Sequence, residues 1–486
     1  MFSRKVSLSL ISLFIFIQIN LDKKITYAQA PQAATQTRKC PAQLQSSIDN
    51  IVNRPEFARM RWGILIKPLY SPVSIYSREP QKLFIPASNT KLFTTAAALN
   101  KLGKDFRIRT SIYQDGEGIL RVFGRGDPSL KSEQLEILSR QLYQQGIREI
   151  DQLLADDSYF QGEVIIPSWQ WEDVQFYYGA PVNSLIVNEN AAVINFVPQK
   201  IGEPLKIKWL NPLDSKNWRI ENNSITTEEN KPRFVTVYRD LKGQTLRVQG
   251  QLPVNSKPRI NAIAVFDPVD NFISHFRFNL FKSGITVKRV SVNNVGTRTQ
   301  EIAAIESPPL SELVQETNIN SNNVFAEAIL KTLGSQQPLT DNQTTVDAGL
   351  EVMTNTLTKL GIESDSYIIV DGSGLSRKNL ISPAAIVKLL QKMATSSQAN
   401  IFRNSLSVAG VNGTLKNRLI NTSAQGKVQA KTGTMMGVVS LSGYVNNSEN
   451  QDMVFSIMVN QSNQPTKVVR NAMDEIVVLL SQLKRC

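Results

Sequence analysis

Histidine is almost missing from this chain of 486 residues: His275 stands alone. It sits in the mix Phe272-Ile273-Ser274-His275-Phe276 and reads as structural, so neither a Ser-His-Asp triad nor a multi-histidine metal site is expected. Any attacking serine must therefore be activated by lysine. Cysteine is nearly absent too, with Cys40 near one end and Cys486 as the last residue. In an oxidising compartment the two are expected to pair and clamp the chain ends, a closure worth roughly 4–5 kcal/mol at most; the alternative is two free thiols. No apolar run is long enough to span a bilayer, the longest being Val6 to Ile17. Lysine and arginine are scattered without a dense block, so nothing points to a nucleic-acid partner.

What the N-terminus does have is Arg4 and Lys5, then that apolar run, then small residues at Thr26-Tyr27-Ala28. This is the layout of a secretory signal peptide, with cleavage expected after Ala28; an uncleaved anchor is the alternative. Removal of residues 1–28 takes Arg4, Lys5, Lys23 and Lys24 together with Asp22, three net charges, and lowers the formal +13 to +10. A basic exported chain is drawn to anionic wall polymers or lipid headgroups, which leaves peripheral membrane or wall association open.

After a polar leader over residues 29–39, Leu44, Ile48, Ile51 and Val52 carry helical spacing, and Trp62 to Ile66 with Val73 to Tyr76 read as a hairpin. A helix is expected from Ser88 to near Gly103. Residues from about 105 to 300 differ: short alternating strands, many turns, and one helix near Asp267 to Ser283, together read as inserted material. Helical periodicity returns at Leu310, Val324 and Val346, and the chain closes with strands Val438 to Val445 and Met453 to Val459 and a helix from Thr466 to Leu483.

Three short words stand out along this frame: Ser88-Asn89-Thr90-Lys91, Ser321-Asn322-Asn323 and Lys431-Thr432-Gly433. On a helix, residues three apart share a face, so the Lys91 amine is expected beside the Ser88 hydroxyl as general base. A lysine at its ordinary pKa of about 10.4 is protonated, so burial and a second cation, for which Lys431 is the candidate, must depress it. Lys431, Thr432 and Thr434 on a strand can grip a carboxylate, Gly433 admits a close ligand backbone, and Ser321 and Asn323 can relay a proton and hold the substrate amide. Each word alone is weak, since a Ser-x-x-Lys pair arises by chance on the order of twice in such a chain. Their order, with Pro86-Ala87 ahead of the helix, is what points to serine acyl transfer.

With Gly126-Asp127-Pro128, Trp171 with Asp173, Asp371-Gly372-Ser373-Gly374-Leu375-Ser376-Arg377, Val408-Ala409-Gly410, Gly413-Thr414-Leu415 and Arg418, the chain resembles the class C low-molecular-mass penicillin-binding proteins, the D-alanyl-D-alanine carboxypeptidase/endopeptidase family. The long gap between Ser88 and Ser321 is similar to that family's two inserted domains. The resemblance implies an α+β, transpeptidase-like domain (40–104 and 301–486), an antiparallel sheet flanked by helices, carrying inserted mainly β domains (105–300). It implies Ser88 as acylated nucleophile, Lys91 as base, Ser321, Asn323 and Lys431 as further catalytic groups, and Thr432, Gly433 and Thr434 at the substrate carboxylate. The backbone amides of Ser88 and Thr434 would form the oxyanion hole, and Asp156, Arg377 and Met435 would recognise the stem peptide. The middle word departs from the family's frequent Ser-Asp-Asn while keeping Ser321 and Asn323.

The activity so implied is a secreted serine D,D-carboxypeptidase or endopeptidase of the periplasm or cell wall, acting on peptidoglycan stem peptides and acylated by β-lactams, without cofactor or metal. Two readings compete: a β-lactam-acylated wall-binding or sensing protein of slow turnover, and a β-lactamase, which the large insert and the lack of a Glu-x-x-Leu-Asn segment disfavour. Trp169 and Trp171 suit either a glycan-stacking role or an insert core, the second preferred.

Overall fold

The computed structural model describes residues 41–240, 244–292, 299–447 and 451–484. The expected signal peptide, the leader 29–39 and the pairing of Cys40 with Cys486 lie outside the described residues. Of the described residues, 193–262 form one compact unit, and 41–192 with 263–484 form another.

The larger unit is organised by a six-stranded antiparallel sheet in the order Ser407–Val408, Val428–Met435, Val438–Val445, Met453–Asn460, Arg61–Pro68, Tyr76–Arg78. The first long strand thus pairs with the last, Trp62 opposite Val459 and Ile66 opposite Phe455. Every residue of Val438–Val445 and Met453–Asn460 is buried, which requires cover on both faces. Strand alternation sorts the side chains. Val439, Leu441, Phe455 and Ile457 join a cluster with Leu44 and Ile48 of the helix Pro41–Val52 and Ile476 of the helix Thr466–Ser481. Tyr444, Val454 and Met458 join the opposite cluster, filled by helices Thr90–Leu102, Leu310–Ile319, Asn323–Gly334, Thr345–Lys359 and Pro383–Ala394. This is the expected α+β arrangement of an antiparallel sheet between helices. Among the described residues no helix is long and apolar enough to cross a membrane.

The stretch 105–300 carries more helix than its alternating strands suggest. A five-stranded sheet, ordered Thr286–Val292, Glu149–Asp156, Ile119–Phe123, Arg109–Gly116, Gln300–Glu306, includes two parallel pairs and packs with helices Ser132–Gln144 and Pro268–Lys282. The first of these helices was not expected, although Leu135, Leu138 and Leu142 follow helical spacing and all three are buried. His275 is buried on the second, its Nδ1 3.0 Å from Ser132 Oγ, a packing contact between the two helices. The separate unit is β-structured, with strands Arg219–Thr227, Thr245–Pro253 and Phe234–Arg239 in one three-stranded sheet.

The helix Asn323–Gly334, which carries the third residue of the middle word, crosses Thr345–Lys359 at two glycines. A Cβ on Gly334 would lie 2.1 Å from Thr345 O, and one on Gly349 2.3 Å from Leu330 O. Backbones this close leave no room for a methyl group. Gly349→Ala is therefore expected to cost about 1–3 kcal/mol by overpacking, read as a lowered urea midpoint with an unchanged far-ultraviolet spectrum.

Candidate active site

Ser88 lies in a short 3-10 turn, Ala87–Asn89, that runs directly into the helix Thr90–Leu102. Ala87 holds φ +48°, a left-handed conformation that costs a non-glycine residue of order 1–3 kcal/mol. The surroundings enforce it: Ser440 Oγ donates to Pro86 O at 2.7 Å, Asn89 Nδ2 to Ser442 Oγ at 2.8 Å, and Gly374 packs so tightly that a Cβ there would sit 2.0 Å from Ala87 O.

One helical turn on, Lys91 is wholly buried. Its Nζ lies 3.0 Å from Ser88 Oγ, 2.5 Å from Asn323 Oδ1 and 2.6 Å from Ser373 O. Two of these neighbours are carbonyl oxygens that only accept, so they take the two hydrogens of a neutral amine. The lone pair is left to the hydroxyl, the one neighbour that can donate. Burial lowers the Lys91 pKa to about 7, against the pull of Asp371 and Glu327 in the other direction. The neutral form is thus accessible near neutrality.

The middle word begins a helix. Ser321 holds φ +56°, Asn322 Oδ1 accepts from Phe325 N at 3.3 Å as N-cap, and Asn323 opens the helix with its amide split between two tasks. Its Oδ1 faces Lys91, and its Nδ2 donates to Tyr178 O at 2.7 Å. The asparagine at the second position has a local reason: its Nδ2 donates to Glu189 Oε2 at 2.8 Å, where an aspartate would set carboxylate against carboxylate.

Lys431 is also fully buried, its Nζ donating to Ser321 Oγ at 2.8 Å and to Thr432 O at 3.0 Å. Burial, then the neighbouring Lys91 charge, lowers its pKa well below the usual lysine range. For Lys91 itself burial is the lowering cause, and the charges that act on it, Asp371 and Glu327, pull the other way, so the depression expected from Lys431 as second cation is supplied by desolvation instead. Thr432 Oγ1 donates to Thr414 Oγ1 at 2.8 Å, and Arg470 donates to Thr434 Oγ1 at 2.9 Å. At Gly433 a Cβ would meet Ser440 Oγ at 2.2 Å, Pro86 O at 2.7 Å and Ser88 N at 3.0 Å. That glycine lets the strand Val428–Met435 lie against the serine turn.

Asp156 does not stand open to a ligand. It is 1% exposed at the end of an insert strand, where Arg121, 2% exposed, donates to it at 3.2 Å and Ser158 N and Oγ occupy its Oδ1. The carboxylate is consumed in holding neighbouring strands together. The acid that feels Arg377 is Asp173: burial raises its pKa, while Tyr178 Oη, donating at 3.2 Å, and the Arg377 charge oppose the rise. Arg377 is partly exposed and donates to Met436 O at 3.0 Å, beside the partly buried Met435. Asp173 belonged to the sequence pattern only as a neighbour of Trp171, and nothing in its spacing separates it from Asp156. The two tryptophans part company. Trp169 is buried and donates to Asp371 Oδ2 at 3.0 Å, whereas Trp171 is 61% exposed, so the core reading fits only the first.

Sequence reasoning also passed over Glu327, one turn after Asn323 and fully buried. Its signal was legible: a lone acid at i+4 from Asn323 in an otherwise apolar helical face.

A serine turn, a buried lysine 3.0 Å from the serine hydroxyl, and a second buried lysine behind another serine are the parts from which lysine-activated serine chemistry can be built. The chain belongs to the D-Ala-D-Ala carboxypeptidase 3 (S13) family, whose model matches residues 44–483. It is 32% identical over 464 residues to a D-alanyl-D-alanine carboxypeptidase of an Actinomadura species, spanning 90% of this chain and 85% of that one. It is 29% identical over 462 residues to a penicillin-sensitive carboxypeptidase A of Dictyostelium discoideum, with 87% of each covered. The fold matches penicillin-binding protein 4 of Haemophilus influenzae with TM-score 0.76 at 24% identity, covering 90% of this chain and 98% of that one. The enzyme class is thus that of the family, a serine-type D-Ala-D-Ala carboxypeptidase.

Gly433→Ala would push the strand away from the serine turn, and a misplacement of this kind is expected to lower turnover about ten- to hundredfold. Steady-state release of D-alanine, with the melting temperature as control, reads it.

Proposed function

We propose that this chain is an exported D,D-peptidase that cleaves peptidoglycan stem peptides through an ester on Ser88. Ser88 Oγ attacks the carbonyl of the D-alanyl-D-alanine bond while neutral Lys91 takes its proton. The amides of Ser88 and Thr434 receive the oxyanion. Collapse breaks the amide bond, the proton that Lys91 took from Ser88 passes by way of the Ser321 hydroxyl, which Lys431 holds by its hydrogen bond, to the leaving nitrogen, and water then hydrolyses the ester. Lys431, Thr432 and Thr434 hold the terminal carboxylate. The observation that carries this reading is the three-way placement of Lys91 Nζ, which leaves its lone pair to the serine. The Arg-led apolar N-terminus supports export, and the proposed substrate class supports action in the periplasm or wall.

Asp173 and Arg377, of opposite charge and both partly exposed, suit a stem side chain that ends in an ammonium and a carboxylate. Met435 would pack its stem. Carboxypeptidase and endopeptidase action share all these groups and differ in whether free D-alanine or a cross-linking amine leaves.

Intact-mass spectrometry with benzylpenicillin is expected to give one adduct per chain, located on Ser88 and absent in Ser88→Ala, with D-alanine released from a pentapeptide stem by the wild type alone. Because the base works as the neutral amine, adduct formation is expected to rise with pH through about 7. No adduct and no release would sink the acyl-enzyme mechanism; a lasting adduct without release would select the sensing protein. Separately, Asp173→Asn is expected to raise KM for a zwitterion-bearing stem about tenfold or more while leaving one with a plain alkyl side chain unaffected. Asp156→Asn is expected to lower the melting temperature without that selectivity. Equal losses on both stems in Asp173→Asn would overturn the assignment.

A further inference from the structure

Lys91 is held from below by a peptide turn, and that turn is held in its place by one buried carboxylate. Glu327 accepts Gly372 N at 3.0 Å and Ser373 N at 2.8 Å, one on each oxygen. The carbonyls of those same two residues face the other way. Ser373 O accepts from Lys91 Nζ at 2.6 Å, and Gly372 O accepts from Thr94 Oγ1, on the same helix as Lys91, at 2.7 Å. Beyond it, Asp371 fastens the rest of the turn by accepting Gly374 N, Ser376 N, Asn379 Nδ2 and Trp169 Nε1 at 2.7 to 3.0 Å. The turn is thus gripped by amides on one side and presents carbonyls on the other.

Glu327 reaches this position from the same helix as Asn323, four residues on, so one face of that helix supplies both a direct partner of Lys91 and the anchor of another. A carboxylate is the one side-chain end that accepts two parallel backbone N–H groups without offering a hydrogen back. Glutamine would turn an NH2 against one of them. We infer that Glu327 is a positioning residue for the lysine base, aiming the Ser373 carbonyl at Lys91 Nζ and, when ionised, setting a negative charge against that amine.

The charged groups around the pair are few. Glu327 faces Asp371 from the turn, Lys91 from the serine helix and Lys331 one turn further along its own helix, whose Nζ donates to Glu163 O and Val182 O. Lys91 faces Glu327, Asp371 and Lys431. Burial and the adjacent Asp371 raise the Glu327 pKa while its hydrogen bonds from Gly372 N and Ser373 N oppose the rise, and both carboxylates, where ionised, favour the protonated amine of Lys91. Loss of the Glu327 charge must therefore ease deprotonation of Lys91. A merely structural anchor predicts a slower enzyme at every pH and no change of profile.

The inference rests on the reading of Lys91 as base, and the test separates the two. The rate of benzylpenicillin adduct formation is measured from pH 5 to 9 by intact mass on the wild type, Glu327→Gln, Glu327→Asp and Thr94→Val, with melting temperatures alongside. In Glu327→Gln the acid limb is expected to move to lower pH by about one unit, with a plateau about ten- to hundredfold lower. Glu327→Asp keeps the charge on a shorter arm, and Thr94→Val releases the same turn without touching any charge. Both are expected to lower the plateau and leave the limb in place, so the positioning claim survives even if the glutamine variant fails to fold. An unmoved limb in a folded Glu327→Gln overturns the role of the charge, and unchanged plateaus in Glu327→Asp and Thr94→Val overturn the aiming of the turn. A wild type with no acid limb at all would instead sink the base reading itself.

Discussion

Everything at this site depends on two amines kept out of water. A lysine in solution is a cation and no base; enclosing it removes the solvation that favours the charge. Lys91 and Lys431 are both fully buried, and only oxygen atoms of matched geometry make that enclosure tolerable. The rest of the fold can be understood as what supplies those oxygens. The serine turn brings Ser88, the helix Asn323–Gly334 brings Asn323, the Gly372–Ser373 turn brings a carbonyl, and the strand Val428–Met435 of the large sheet brings Lys431 up to Ser321.

These suppliers come from distant parts of the chain, and their mutual fit is enforced where side chains are smallest. Gly433 lets the strand Val428–Met435 touch the serine turn, Gly374 lets the neighbouring turn sit on Ala87, and Gly334 with Gly349 sets the depth at which the Asn323 helix lies. The positive φ of Ala87 and Ser321 is the corresponding cost, strain kept at the two serine words by packing around them.

Much of this was legible in the chain because it is governed by local rules. The helix after Ser88, the Asp267 cap ahead of Pro268–Lys282, and the alternating strands near the C-terminus follow from spacing and capping. The helix Ser132–Gln144 was equally regular but hidden among strands and turns, since a thirteen-residue amphipathic segment reads weakly beside Gly- and Pro-rich neighbours. Asp156 and Asp173 mark the limit. Both are acids in the insert, and only the pairing of one with buried Arg121 and the nearness of the other to Arg377 tell them apart. Trp169 and Trp171 divide in the same way, one tied to Asp371 and one in solvent.

The sequence by itself determined the chemistry on offer: one histidine, three ordered words, and a serine-lysine pair on consecutive helical turns, because residue type and short-range spacing are written along the chain. The tertiary structure alone decided the electrical state of those groups. Whether Lys91 can work as a base, why Asn322 is an amide, and that Glu327 stands beneath the lysine all depend on burial and on partners brought from hundreds of residues away. Desolvation and through-space charge act across distance in the folded molecule and leave no mark in the order of residues.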